Sequence, residues 1–113
     1  MEQCFDGAIW NQYNALFLET DDGISFRFVL DLGKFFRLAE PPRVWRSSGR
    51  NTYRLVEPEE LRPLYGRAVI AASFNAIPGG GRELRLRFEG GGELRYWNEA
   101  VVSRLSVEAP NDT

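Results

Sequence analysis

The stretch that decides the fold is LRLRFEGGGELRYW, residues 84–97. Apolar residues alternate with charged ones on both sides of three glycines, the pattern of two strands that each bury one face. Because the apolar faces of paired strands must coincide, we expect Phe88 to lie opposite Leu94 across a three-residue loop, 90–92. The apolar side chains then fill a core and the charges face water, so the hairpin is interpreted as scaffold.

The same register makes a prediction for the outer face of the hairpin. Arg87 lies opposite Arg95, and like charges that face each other across two strands destabilise the pair. Trp97 points outward beside Arg85. An outward tryptophan can anchor a partner protein, and packing at the edge of the core is the alternative interpretation.

An earlier segment repeats this arrangement. Residues 16–26 (LFLETDDGISF) align without gaps to residues 86–96 (LRFEGGGELRY), and each reads as strand, polar turn and strand. Each hairpin also follows a further strand-like run. We therefore divide the chain into two related β units, 5–38 and 64–108, joined by an Arg-rich segment, 39–63.

The chain has the length of one domain. Its 113 residues can bury a core without help from metals or disulfides. Residues 34–40 and 100–107 are predicted strands, and Pro58 and Gly66 bracket a short helical turn. The sequence therefore predicts a single mainly β domain, 1–113, of about seven strands in two hairpin-based units, folded as a small barrel or sandwich.

The absence of histidine excludes several chemistries. A Ser-His or Cys-His nucleophile pair and a His-ligated zinc both require that side chain. Carboxylate catalysis stays open, but Glu57, Glu59 and Glu60 belong to no recognisable catalytic motif. We therefore expect a protein that is not an enzyme and that uses no metal or cofactor.

Cysteine content and charge indicate the compartment and the class of partner. Cys4 is the only cysteine, so no internal disulfide can form, which favours a reducing environment. The chain contains no apolar run near the roughly 20 residues of a membrane span, and its first residues do not resemble a signal peptide. The expected location is the cytoplasm. A net charge of −2 argues against broad binding to nucleic acid.

The strongest candidate site lies in residues 43–54, RVWRSSGRNTYR, which hold four arginines and no acidic residue. Guanidinium and aromatic side chains suit a protein interface, and they equally suit contact with phosphates and bases. The alternative is a solvated loop whose arginines pair with the acidic remainder of the chain. The candidate residues are Arg43, Trp45, Arg46, Arg50, Tyr53 and Arg54.

The turn of the first hairpin is a second candidate. Glu19, Asp21 and Asp22 form an acidic cluster that can meet a basic partner surface, because complementary charge speeds encounter. Calcium needs roughly six to eight oxygen ligands, more than this run supplies. The alternative is a plain hairpin turn, a three-residue loop over 21–23 that closes on Gly23.

Four motifs of the second unit give the chain a family likeness. They are LYGRAV at 64–69, the alternating strand 84–88, the Glu89-Gly90 turn and the strand that holds Leu94 and Tyr96. Together they resemble a widespread group of small, uncharacterised bacterial β-rich domains. Members of such groups are often encoded beside secreted toxins, and some act as immunity proteins. The resemblance implies a β-rich fold and a protein partner, and it transfers no site residues.

We therefore expect a non-enzymatic protein-binding domain, and the resemblance favours an immunity protein that neutralises a toxin. Two other functions stay open. One is binding of nucleic acid or an anionic ligand through residues 43–54, with an affinity that falls as salt rises. The other is a homo-oligomer, for example a homodimer formed through an open sheet edge.

Overall fold

The computed structural model describes residues 1–5, 8–29, 34–38, 50–78, 81–99 and 102–110. Within these ranges the chain is mainly β, as predicted, with ten strands against the roughly seven expected. One short 3-10 helix covers Glu59–Leu64. The strands are β1 (Glu2–Phe5), β2 (Ala8–Asn11), β3 (Leu16–Glu19), β4 (Ser25–Val29), β5 (Lys34–Leu38), β6 (Asn51–Arg54), β7 (Val69–Ala76), β8 (Arg82–Phe88), β9 (Glu93–Glu99) and β10 (Val102–Glu108).

The described strands form three antiparallel sheets. We call them the N-terminal sheet (order β2-β1-β6), the central sheet (β3-β4-β5) and the large sheet (β10-β9-β8-β7). The N-terminal sheet includes part of the Arg-rich segment. Residues 43–54 were interpreted as a loop that could contain a strand near 53–56, and the strand lies at Asn51–Arg54, where β6 pairs with β1. Strand β6 covers the edge of β1 that β2 leaves open.

The main core lies between the central sheet and the large sheet. Alternation along the strands puts one apolar face of each sheet inward. The hydroxyl of Tyr96, which is fully buried, donates to the carbonyl oxygen of Tyr13 at 2.5 Å and so ties the large sheet to the turn between β2 and β3. The buried side chains of this core are Leu16, Phe28, Leu61, Leu64, Leu84, Leu86, Phe88, Leu94 and Tyr96.

The first hairpin has the predicted register. The amide of Thr20 donates to the carbonyl of Ile24 at 2.9 Å, which leaves a three-residue loop, 21–23. Gly23 has a φ of +81°, the left-handed conformation that favours glycine. The Asp22 carboxylate accepts hydrogen bonds from the Thr20 hydroxyl and, at 3.4 Å, from the Ile24 amide.

The predicted register of the second hairpin is wrong by two residues. Leu86, not Phe88, lies opposite Leu94. The amide of Phe88 donates to the carbonyl of Gly92 at 2.8 Å, so the loop is 89–91. A slip of two residues keeps every side chain on its predicted face, so the hydrophobic pattern alone cannot distinguish the two registers.

Packing by distant residues explains this register. Gly92 occupies a paired position in which a Cβ atom would lie 2.7 Å from Leu64 Cδ2 and 2.9 Å from Pro110 Cγ. Only glycine fits there, and the predicted register would have left Gly92 in the loop. Arg87 consequently faces Glu93 instead of Arg95. Arg95 lies opposite Arg85 instead, and the Glu83 carboxylate forms ion pairs with both of these arginines.

The remaining elements follow their predictions closely. The strand predicted over 34–40 contains β5, and the strand predicted over 100–107 overlaps β10, which ends one residue later at Glu108. Pro58 is extended and immediately precedes the 3-10 helix, one position before its predicted place. Gly66 follows the helix with a φ of +75° and ends it, as expected.

Candidate binding cleft

A broad cleft lies between the central sheet and the large sheet, with a volume of about 1730 Å³. Both walls are apolar because they continue the inward faces of the two sheets. The 3-10 helix contributes Leu61 and Leu64 to the lining. The apolar wall residues include Leu16, Leu18, Phe26 and Phe28 of the central sheet and Phe74, Leu84, Leu86, Phe88 and Leu94 of the large sheet.

Large apolar side chains at the rim of this cleft are exposed to solvent. Leu55 and Val56 follow β6, Tyr65 follows the 3-10 helix, and Val69 begins β7. Their exposed fractions are 42%, 45%, 52% and 51%. Apolar side chains that are exposed together, next to an apolar cleft, are typical of a surface that a partner covers.

Acidic side chains dominate the charge of the rim. Among the described lining residues, six are acidic and Arg67 is the one arginine. Glu2 is buried and forms an ion pair with Arg54, so it does not contribute to the rim. The five exposed acidic residues are Glu19, Asp21, Glu57, Glu59 and Glu60.

Two tyrosines hold two of these carboxylates in place. The Tyr13 hydroxyl donates to Glu60 Oε1 at 2.5 Å, and the Tyr65 hydroxyl donates to Glu57 Oε1 at 2.6 Å. Desolvation, together with the hydrogen bond to the glutamate, raises the pKa of each tyrosine to about 12. Both hydroxyls therefore stay protonated at neutral pH and orient carboxylates that can accept from a cation.

The three acidic residues predicted at the turn of the first hairpin lie in two different environments. Glu19 and Asp21 line the cleft, together with the acidic residues of the 3-10 helix. Asp22 instead accepts hydrogen bonds from Thr20 and Ile24 within the hairpin turn. The negative charges of Glu19 and Asp21 thus belong to the cleft rim, whereas Asp22 belongs to the turn.

The described residues of the Arg-rich segment contact their own chain. Arg54 forms an ion pair with Glu2, which raises the pKa of its guanidinium. Tyr53 packs against the smaller core cluster around Met1, Ala15 and Val29. The guanidinium carbon of Arg50 lies 6.0 Å from the centre of the Phe5 ring.

The other three predicted residues of this segment, Arg43, Trp45 and Arg46, lie outside the described residues. Of the six candidates, the structure therefore places Arg50, Tyr53 and Arg54.

Trp97 lies on the outer face of the large sheet, on the side away from the cleft. It is opposite Glu83 and Arg104 and not beside Arg85 as predicted, because the register differs by two residues. The Arg95 guanidinium stacks 5.0 Å from its ring centre. Trp97 is half-buried beside this guanidinium, and its role as an anchor for a partner stays a prediction.

The rim residues from Leu55 to Tyr65 were not predicted as binding residues, apart from the glutamates considered for catalysis. The sequence signal that could have identified them is the close succession LVEPEE at 55–60, in which apolar and acidic side chains share one short segment.

In the described ranges, no three cysteine, aspartate or glutamate side chains come together as potential metal ligands. The described part of the chain also has no helix long and apolar enough to cross a membrane.

Comparison with known proteins gives no relative. No family model, curated protein or solved structure matches this chain.

Proposed function

We propose that the chain is a non-enzymatic protein-binding domain and that the cleft is its binding site. The observation that carries the proposal is the combination of exposed apolar side chains with acidic ones on the same rim. Such a rim fits a segment that presents apolar side chains and basic residues together. The exposed apolar side chains of the rim supply binding energy, and the acidic residues select for positive charge.

The size of the cleft supports a macromolecular partner. Pockets for small molecules usually measure roughly 300 to 1,000 Å³. A volume of about 1730 Å³ exceeds that range and suits a stretch of polypeptide.

The specific partner that we propose is a basic protein, and a toxin neutralised by this chain is the proposed case. The support is the family resemblance, the small size of the domain and its acidic rim. Charge attraction between an acidic inhibitor and a basic target speeds their association. The bacterial cytoplasm is the corresponding proposed location.

The test is affinity capture from the source-cell lysate with three baits, each run with and without nuclease. The baits are the wild type, the cleft variant Glu57→Gln/Glu60→Gln and the control variant Glu89→Gln/Glu108→Gln. Both variants change the net charge equally, and neither control residue lines the cleft. The glutamine side chain retains an acceptor for the tyrosine hydroxyl, so the rim geometry is preserved.

We expect the wild type and the control variant to retain one basic protein in near-stoichiometric amount, insensitive to nuclease. The cleft variant should bind that protein about three- to tenfold more weakly, because each lost charge pair contributes up to about 1 kcal/mol. Equal capture by all three baits would contradict a role for the rim. Nuclease-sensitive capture would indicate nucleic-acid binding through residues 43–54 instead.

A further inference from the structure

Strand β7 forms an open edge of the large sheet. It is the last strand in the order β10-β9-β8-β7, and no described strand pairs with its other side. Most of its residues are exposed, including Ile70 at 62%. An edge strand with unpaired backbone groups is a template for a further strand.

The pairing with β8 shows which backbone groups point outward. The amide of Ile77 donates to the carbonyl of Gly81 at 3.3 Å, so these two residues form a hydrogen-bonded pair. Backbone groups alternate in direction along an antiparallel strand. The N–H and C=O groups of Ala72, Phe74 and Ala76 therefore point away from β8, toward the open edge.

This edge lacks the devices that normally block strand addition. The eight residues of β7, VIAASFNA, include no charged residue and no proline. A bulge between Val69 and Ala71 interrupts only the beginning of the strand. Residues 72–76 stay regularly paired and present a flat edge.

The same strand is a wall of the cleft. The side chains of Ala72 and Phe74 line the cleft and lie opposite Leu86 and Leu84 of β8. In a paired sheet, directly opposed residues share a face. A strand added beside β7 would therefore direct every second side chain into the apolar cleft.

The position of the acidic rim sets the direction of such a strand. Tyr65, which holds Glu57, lies four residues before Val69, so this part of the rim adjoins the beginning of β7. The described pairs of the large sheet are all antiparallel. The C-terminal end of a strand antiparallel to β7 would reach the acidic rim.

We propose that the partner binds by adding an extended segment as a fifth strand, antiparallel to β7, with alternate apolar side chains in the cleft and basic residues at its C-terminal end. This inference rests on the proposed function and specifies the mode of binding. The proposed occupant is an extended peptide segment, because the basic end of such a segment complements the acidic rim.

The test is amide hydrogen exchange by NMR with a defined peptide. The probe is an acetylated and amidated peptide of three alternating threonine–valine pairs followed by two lysines. The control peptide carries two glutamates in place of the lysines. At a peptide concentration of about ten times Kd, exchange at Ala72, Phe74 and Ala76 should slow roughly tenfold. The amides of Ser73 and Asn75 already bond to β8 and should change little.

The outcomes separate this inference from the proposed function. Binding of the lysine peptide that is lost in Glu57→Gln/Glu60→Gln, without slower exchange at 72, 74 and 76, would overturn strand addition and leave the cleft as the binding site. Equal binding of both peptides, or of neither, would contradict the acidic cleft itself. Slower exchange that rises with protein concentration in the absence of peptide would show that a second copy of the chain occupies the edge.

A backbone substitution gives a second readout. Ala72→Pro removes an outward amide and leaves the hydrogen bonds to β8 intact, whereas Ala72→Gly keeps the amide. The proline variant should bind the lysine peptide about three- to tenfold more weakly than the glycine variant, the effect of one lost hydrogen bond. Equal affinities of the two variants, both with cooperative thermal unfolding, would overturn strand addition.

Discussion

The two hairpins, β3–β4 and β8–β9, have the same loop length and reach it by different means. In the first, the hydrogen bonds of Asp22 and the left-handed Gly23 close the loop within the turn itself. In the second, the left-handed Gly91 closes the loop, and Leu64 and Pro110 lie so near Gly92 that an added Cβ atom would clash with them. The first turn is specified locally, whereas residues far away in the sequence also constrain the second.

Pairing aligns the two hairpins differently from a gap-free comparison of their sequences. Leu16 corresponds to Leu84 and Leu18 to Leu86, and the left-handed Gly23 corresponds to Gly91. The sequence comparison had paired Leu16 with Leu86. Ile24 of the first hairpin then corresponds to Gly92, the position that Leu64 and Pro110 closely approach in the second hairpin.

Truncation of the structurally equivalent residues Leu86 and Leu18 should give the largest difference in stability between the two hairpins. Leu86 is 6% exposed and belongs to the main core, whereas Leu18 is only partly buried against it. Leu86→Ala should lower the free energy of unfolding by about 2 to 5 kcal/mol, and Leu18→Ala by less. Urea denaturation of both variants measures this, and equal losses would show that the two hairpins contribute equally to the core.

Addition of one methyl group at Gly92 should give the next largest effect. The Cβ atom would clash with Leu64 and Pro110, so Gly92→Ala should cost about 1 to 3 kcal/mol. In a Leu64→Ala background the same change should cost less, because the space has been emptied. A double-mutant cycle checks this coupling, and strictly additive losses would contradict the packing explanation of the register.

Removal of one outer-face carboxylate should give the smallest effect. Glu83 Oε2 lies 2.6 Å from Arg95 Nη2, and Glu83 Oε1 lies 3.1 Å from Arg85 Nη2. The hydrogen bond from Arg95 holds the pKa of Glu83 below its usual range. Because the arginines are exposed, Glu83→Gln should cost only about 0.5 to 1 kcal/mol at neutral pH.

The pH dependence gives this prediction its sign. A carboxyl whose pKa is lowered by folding stabilises the fold above its unfolded pKa, and that contribution is lost as pH falls through the folded pKa. The difference between wild type and Glu83→Gln should therefore vanish in strong acid. Glu19→Gln in the first hairpin is the control, and a loss as large as that of Glu83→Gln would count against the ion-pair explanation.

Local patterns in the sequence were sufficient for much of the fold. Alternation located the hairpin strands, and Asp21-Asp22-Gly23 located the first turn. The register of the second hairpin was beyond such reasoning, because a two-residue slip preserves the apolar face and only contact with Leu64 and Pro110 selects between the registers.

The candidate site was harder to predict than the fold. Glu19 and Asp21 were chosen for their charge, and they line the cleft. Leu55 and Tyr65 were missed, because their exposure depends on how the two sheets pack across the core. Arg54 was chosen because of the positive charge of residues 43–54. Its ion pair with Glu2, 52 residues away in the sequence, balances the charge of this arginine.

The most direct test of the cleft as a binding site is a chemical-shift map of the isotope-labelled protein titrated with the threonine–valine–lysine peptide. We predict that the largest shifts occur at Leu55, Tyr65 and Val69, which surround the cleft, and that they shrink when salt is raised. Shifts centred on Trp97 and Arg104, on the outer face of the large sheet, would contradict the assignment of the cleft as the binding surface.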